Sequence, residues 1–294
     1  MANSIEQRKN YTNILDEVYQ NAACSTCLNS GRGMVRAGAH AHEILIPKIS
    51  VTGLGNYTRN VGYTDVNITF AYETKAFNYD RGTRLLADVM DVEEAGVMDC
   101  FVAAGSELQR TQVAPEGDAF CFSQIASHTG VTTVEEEFNN YADADTVMTS
   151  LRRATSEMDE KQVTATSRIL FITPTLKGLL DDFSLVNPNR SNAILSRFSR
   201  IVSVLQSRFY TAITLNPGTG GSFGYGKGAN GKDINYMIVE KSAVIKFDKH
   251  VVSKVFKPSE LETLDSYMLK YRKYGLVELF DNKLDGIHVS CASS

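Results

Sequence analysis

The sequence predicts an α+β chain, on three observations. Amphipathic helical stretches and β-rich runs are both present; they do not follow the regular βα alternation of a doubly wound sheet; and two β-rich runs flank a glycine-bearing tip, the mark of a long hairpin. With 294 residues, one large domain or two modest ones are accessible, burying roughly three quarters of the unfolded surface. A composition of 43% hydrophobic and 22% charged residues is that of a globular chain, neither disordered nor membrane-spanning.

Ile5, Tyr11, Ile14, Leu15, Val18 and Tyr19 predict a first helix over residues 5–20. Residues 22–38 are small, polar and without periodicity, an arm that needs a partner to order it. From Glu43 the runs EILIPKISVT and VNITFAYETKAF enclose GLGNYTRNVGYTD. Arms of about ten residues at ~3.3 Å each project ~30 Å. A two-stranded ribbon is marginal alone in water, so another surface must carry it. A tight turn is expected at Asp80-Arg81-Gly82. Val92, Ala95, Met98, Phe101, Val102 and Leu108 then form one helical stripe, with Asp91, Glu93 and Glu94 in its first turn. Pro115 ends this helix or opens a short one near 118–125. A second amphipathic helix covers 142–161, succeeded by RILFITP as a buried strand. RIVSVL, NYMIV, SAVIKF, SYMLKYRKYGLVELF and GIHVSC read as further strands.

Several function classes recede at this stage. No apolar run approaches the ~20 residues that cross a bilayer. The first residues have neither the apolar core of a signal peptide nor a transit-peptide bias. An odd count of five cysteines suits a reducing cytosol, where the Asn-x-Ser/Thr triplets at Asn10, Asn56, Asn67 and Asn189 carry no glycan. Gly221–Gly228 matches seven of the eight positions of G-x-x-x-x-G-K-[ST]. However, Gly228 replaces the hydroxyl that would hold magnesium, and the downstream residues ANGKDINYMIV read as turn and strand, not helix. A loop between two strands is expected instead. Cys24 and Cys27 have metal-ligand spacing, but His40 and His42 lie one residue apart, against the three to five of a zinc finger. Glu93 with Glu94, and Glu135–Glu137, read as helix-start or solvated charges. No nucleophile motif occurs. No catalytic residue, cofactor or metal is therefore expected.

Net charge is −4, which excludes a strongly basic nucleic-acid binder. Between Asp182 and Asp233, however, Arg190, Arg197, Arg200, Arg208, Lys227 and Lys232 stand without an acidic residue. That stretch reads either as a surface meeting nucleic acid or an acidic neighbour, or as solvated charge.

A set of motifs, in order, resembles the major capsid proteins of tailed bacteriophages, with the Hong Kong 97-type fold. They are the tip Gly53–Tyr63; NYDRGTRLLADVMDVEEAG from Asn78, similar to a D-R-G…D-x-x-D-x-x-E stretch; and QRTQVAPEGDAFCFSQIA from Gln109, similar to R-T-x-V-x-P-E-x-D-A-[YF]-x-F-S. Ala142–Asp145, Arg168–Pro174, Ser207–Thr211, Lys241–Val251, Phe256–Pro258, Tyr271–Gly275 and Asn282–Val289 continue the series. Two departures are Val204-Leu205-Gln206, where relatives commonly carry proline, and Leu276, where an Asp is often seen.

The resemblance implies an N-terminal helix and arm (1–40), an extended hairpin loop lying on a neighbouring subunit (41–77), a peripheral domain (78–129 and 257–294, spine helix about 92–112) and an axial domain (130–256). It implies a structural subunit that self-assembles into pentamers and hexamers of an icosahedral head enclosing double-stranded DNA, within the host cytoplasm. A separate scaffold, portal and decoration proteins are the further partners, and no membrane is involved. Gly53, Gly55, Tyr57, Arg59, Arg81, Arg84, Asp88 and Arg110 become candidate inter-subunit contacts, with ordinary surface charge as the alternative for the last four. A cellular nanocompartment of the encapsulin kind shares the fold and is the competing expectation.

Overall fold

The structure, a computed structural model, describes residues 22–30, 36–37, 43–60, 62–63, 65, 67–90, 100–138, 144–256, 258–260 and 265–293. The helix expected over 5–20 and the first part of the stripe, 92–99, lie outside the described residues.

The hairpin is present as β1 (Arg36–Ala37), β2 (Glu43–Val51) and β3 (Ile68–Ala76), in antiparallel order β1-β2-β3. Its successor β4 (Tyr79–Asp88) overturns the tight turn expected at Asp80-Arg81-Gly82, which is continuous strand. The glycine is there for close approach: a Cβ on Gly82 would lie 2.9 Å from the Tyr271 carbonyl oxygen.

Helix α1 (Cys100–Leu108) runs through a π turn, Gln109–Val113, directly into α2 (Ala114–Ala126). Pro115 therefore neither ends the helix nor starts a separate one. In a regular helix its ring would meet the carbonyl of residue 111; the wider π turn makes room for it, and the missing N–H falls at the start of α2. β5 (Thr132–Glu135) comes next, then α3 (Ala144–Glu160), which buries Val147, Met148, Leu151, Ala154 and Met158 at the spacing of one helical face. After β6 (Arg168–Ile172) come two helices that were not expected, α4 (Pro174–Val186) and α5 (Pro188–Leu195). The rest is strand: β7 (Arg200–Ser203), β8 (Ile213–Leu215), β9 (Tyr225–Lys227), β10 (Ile234–Glu240), β11 (Val244–Phe256), β12 (Ser266–Leu279) and β13 (Ile287–Cys291).

Two sheets organise the body, in orders β5-β13-β10-β6-β7 and β11-β12-β4. The strands divide the chain differently from the expected boundary at 256/257. β11 pairs with β12 and so belongs with 266–279, whereas β13 returns to lie between β5 and β10. Alternation along the five-stranded sheet separates two cores. Leu170, Ile172, Tyr236 and Ile238 face α3, α4 and α5. Ile169, Phe171, Met237, Val239, Ile287 and Val289 face α2 and the inner surface of the three-stranded sheet, where Phe120, Phe122, Ile125, Val244, Val277 and Leu279 join them. β6 is buried on both faces, which is why it reads as an unbroken apolar run.

On the α3 side of β13, His288 is 2% exposed, its ring stacked on Tyr236 at 6.2 Å, and its Nε2 has no hydrogen-bond partner. Burial lowers its pKa below the ordinary value; Glu157 and Glu136 oppose that shift, and Arg153 and Lys161 reinforce it. The unfolded chain thus accepts a proton that the folded chain refuses. The stability this histidine permits is complete above pH ~6.5 and declines below it, by at most about 1.4 kcal/mol per pH unit. Urea unfolding of the monomeric chain at pH 7.5 and pH 5 should show a larger loss for the wild type than for His288→Gln; equal losses would deny the histidine this role.

Candidate functional site

Two features stand out for function: the ribbon, which no other described element covers, and a run of buried charges that clamps the body together.

Pairing across the ribbon puts Val51 opposite Ile68 and brings Phe70 and Tyr72 onto the same face. Val51, Ile68, Phe70 and Tyr72 are 60%, 68%, 54% and 43% exposed. The opposite face carries Thr69, Glu73 and Lys75. At the base, Lys75 Nζ lies 3.1 Å from Glu73 and 3.6 Å from Glu278 of β12, which tethers only the root of the ribbon. The tip is a small closed turn. Thr58 and Gly62 exchange backbone hydrogen bonds, Asn60 and Gly62 take positive φ, and the Tyr57 and Tyr63 rings meet at 5.0 Å. Gly53, Gly55, Tyr57 and Arg59 are all exposed there, and Leu54 is fully so.

The other candidates part company. Arg81 is used within the subunit: Nε reaches Glu116 at 2.8 Å, Nη1 donates to the Asn216 carbonyl at 2.6 Å and Nη2 to the Gly224 carbonyl at 3.2 Å. It pins both ends of the glycine loop against β4 and α2. Arg110 pairs with Glu107 one turn away, both well exposed. Arg84 is exposed on the outer face opposite Lys270, and Asp88, also exposed, accepts from the Met90 N–H at 3.0 Å.

The expected loop over Gly221–Gly228 is corrected: Tyr225–Lys227 form β9, paired with β8, the loop proper is 217–224, and Gly218, Gly220, Gly221 and Gly224 all have positive φ. These glycines meet turn geometry that other residues would strain. Lys227 stands in β9 and pairs with Asp233 at 2.5 Å. The basic stretch is likewise absorbed: Arg190 pairs with Asp145, Arg197 with Asp159 at 3.6 Å, Arg208 with Asp118 at 3.2 Å and Lys232 with Glu135 at 2.5 Å. Solvated and paired charge describes it better than an open cationic surface. Cys24 and Cys27 are half-buried; burial first, then Asp118, pushes the Cys24 thiol up to about 11, and burial takes Cys121 to about 12. Neither is an activated thiolate.

The buried charges were not foreseen. Asp118 on α2, fully buried, accepts from the Cys24 and Ser25 backbone N–H groups at 2.9 and 3.0 Å, from Ser25 Oγ at 2.6 Å and from Arg208. Ser25 Oγ accepts in turn from Lys246 Nζ at 2.9 Å. Asp248 lies between Lys246 at 2.9 Å and Lys273 at 3.3 Å, both lysines almost wholly buried. Burial is the largest single influence on Lys246 and draws its ammonium toward neutrality, but Asp248 together with Cys121 and Asp118 outweighs it and the net shift is upward; at Lys273 burial prevails over Asp248 and the shift is downward. Lys273 also sits over the Tyr79 ring at 5.2 Å, and Tyr79 donates its hydroxyl to Glu116 at 2.9 Å. A cleft of about 1,090 Å³ lies above this floor, walled by Leu108, Val113, Pro217 and Phe223. Arg81 and Glu116 within it are paired with each other, as are Asp80 and Arg272. The signal available in sequence was the alternation of Lys246 and Asp248 with Ile245 and Phe247, whose inward sense only the second sheet decides.

No protein-family model matches the chain, and no curated protein matches its sequence. Solved structures do. The asymmetric unit of the bacteriophage PhiM1 mature capsid matches with a TM-score of 0.61 at 15% identity, over 90% of this chain and 87% of that one. The capsid of Myoviridae phage XM1 matches at 0.57 and 10%, over 92% of each. The virus-like particle from Pyrococcus furiosus matches at 0.54 and 11%, over 95% and 99%.

Replacing Asp118 by alanine would leave Arg208 and the N–H groups of Cys24 and Ser25, in the strap formed by residues 22–30, without their acceptor. A loss of about 3–5 kcal/mol is expected, read from the urea midpoint of the unassembled subunit. A change under about 1 kcal/mol would mean that the strap is held by its apolar residues alone. At such low identity the likeness is one of architecture, and on it the chain has the Hong Kong 97-like fold of tailed-phage capsid proteins.

Proposed function

We propose that this chain is a major capsid protein, the structural subunit that self-assembles into pentamers and hexamers of an icosahedral phage head around double-stranded DNA. The observation that carries the proposal is an apolar ribbon face, uncovered by the rest of the described chain, on a body with a capsid fold. A two-stranded ribbon with such a face is stable only against another surface. Strand pairing supports a peripheral domain of 78–129 with β11 and β12, and an axial domain of 130–240 with β13. The helical run 100–126 then belongs to the spine helix, 41–77 is the extended loop and 1–40 the arm. No catalytic role is assigned: in the cleft above β4 and β12, Arg81 is paired with Glu116 and Arg272 with Asp80. The net negative charge and the internally paired arginines suit a container that holds DNA loosely and without sequence preference. Scaffold, portal and decoration proteins are the further partners, and the particle assembles in the host cytoplasm.

The Pyrococcus furiosus particle, matched over nearly its whole chain, favours a second reading as a cellular compartment shell. Purified particles separate the two: packaged DNA supports the head, an enclosed protein cargo the compartment.

Negative-stain microscopy of the full chain, with and without a co-expressed scaffold, is expected to show closed shells. Only monomers or small rings under both conditions would sink the proposal. Deleting residues 53–62 should leave a folded subunit, its melting temperature within a few degrees of wild type, that forms no shells. A deletion that unfolds the subunit would place the ribbon in the core.

A further inference from the structure

Two cysteines of the strap have no part in the contacts so far assigned to it through their side chains. Cys24 and Cys27 stand three residues apart in a short 3₁₀ helix, Cys24–Leu28. Residues i and i+3 of such a helix eclipse, so the two thiols share one face. Ser25 and Leu28, the neighbouring pair, take the inward face and are fully buried, whereas Cys24 and Cys27 are only half-buried. Three steps of ~2.0 Å set the two Cα atoms ~6 Å apart, inside the roughly 4.4–6.8 Å that a disulfide bridges.

The side chains are already drawn together. Cys27 Sγ donates to the Cys24 carbonyl at 3.5 Å, and so folds back over the first residue of the turn. Cys24 Sγ lies 3.7 Å from the Ser203 carbonyl, and a rotation about its Cα–Cβ bond turns it toward Cys27. The turn itself is held by other groups: the Thr26 hydroxyl donates to the Ala23 carbonyl at 2.6 Å and the Asn29 N–H to the Thr26 carbonyl at 3.1 Å. Cys121 and Cys291, by contrast, are 0% and 1% exposed.

We propose that Cys24 and Cys27 form an intrachain disulfide on reaction with a small-molecule disulfide such as oxidised glutathione, and that this bond locks the strap onto Asp118. One cysteine thiolate attacks a sulfur of the glutathione disulfide and expels a glutathione thiolate. The second cysteine then attacks the cysteine sulfur of the mixed disulfide and expels the other glutathione. One S–S bond breaks in glutathione and one forms in the chain; two electrons pass from the cysteines to glutathione, and the two thiol protons end on the released glutathiones. Burial raises both thiols, so the exchange is slow and quickens in mildly alkaline solution.

The bond closes a ring around the turn that aims the Cys24 and Ser25 N–H groups at Asp118, 2.9 and 3.0 Å away. Conformers in which those groups turn outward are lost, because the ring restricts the open strap more than the bound one. Its cost is the contact between Cys24 and Ser203.

The full chain, purified reduced, is incubated natively with oxidised glutathione, then denatured in acid, alkylated and digested with trypsin. Residues 10–32 form one tryptic peptide that holds Cys24 and Cys27 and no other cysteine. It should be about 2 Da lighter than its reduced form and refuse alkylation, while Cys121 and Cys291 are alkylated. Deuterium exchange of the 22–30 amides should slow at least about threefold on oxidation. In the variant carrying Cys24→Ser and Cys27→Ser, glutathione should leave that exchange unchanged. A peptide alkylated twice, one that keeps glutathione, or one joined to another peptide would overturn the disulfide. A disulfide without slower exchange, or equal slowing in the serine variant, would overturn the lock.

Discussion

A carboxylate that cannot reach water sets the shape of this subunit. Asp118 is fully enclosed, and an isolated buried anion costs more than a small domain can sustain. It is tolerable because strap residues Cys24 and Ser25 turn their N–H groups to it and Arg208 reaches in from beyond β7. Ser25 passes the contact to Lys246, Lys246 to Asp248, and Asp248 to Lys273, which lies over Tyr79; Tyr79 and Arg81 then share Glu116, and Arg81 holds the glycine loop. One unbroken run of contacts thereby joins the strap, α2, the three-stranded sheet and the loop. Pairs of this kind add little net stability, but any shifted packing would strand a charge, so they select one arrangement of the body over its neighbours.

The ribbon obeys the opposite logic. Its root is fixed: Asn78 bonds to Val277 through both its amide nitrogen and its amide oxygen, and Lys75 reaches Glu278. Beyond the root, Val51, Ile68 and Phe70 of its apolar face are 60%, 68% and 54% exposed. An edge strand with this pattern is an aggregation hazard in a free monomer. The body therefore folds on its own contacts, and on the proposed reading the ribbon keeps its apolar face for a neighbouring copy.

Much of this was legible in the sequence. The ribbon, α3, β6, β7 and the strands from β10 to β13 follow from period-2 and period-3.6 patterns, because each has one distinct apolar face or is buried on both. The misreadings share a cause. At Asp80-Arg81-Gly82 a turn signature stands inside a strand, since Gly82 answers to a carbonyl on β12, a residue 189 positions away in sequence (271 less 82). At Pro115 a helix breaker is carried by a π turn. Lys246 and Lys273 look like solvent-facing residues of alternating strands, and α2 with its Asp118 turns that face inward. The return of β13 was hidden for the same reason: it belongs to a sheet whose other strands precede it by dozens of residues. In each case the local chemistry is sound and a distant partner decides its meaning. Gly53, Gly55, Tyr57 and Arg59 are exposed at the ribbon tip.

A rigid body and a ribbon anchored only at its root also bear on how one sequence could occupy rings of different order. Between a five-membered and a six-membered ring the angle between neighbours changes, and a close-packed body cannot bend to track it. The change must be taken up where packing is absent, between the fixed root at Asn78 and the tip. An extended ribbon of two strands twists and flexes along its length while keeping its pairing, so it can reach a neighbour over a range of angles. Covering the ribbon within its own chain would make a more stable monomer, at the cost of the freedom that the proposed rings of two orders demand.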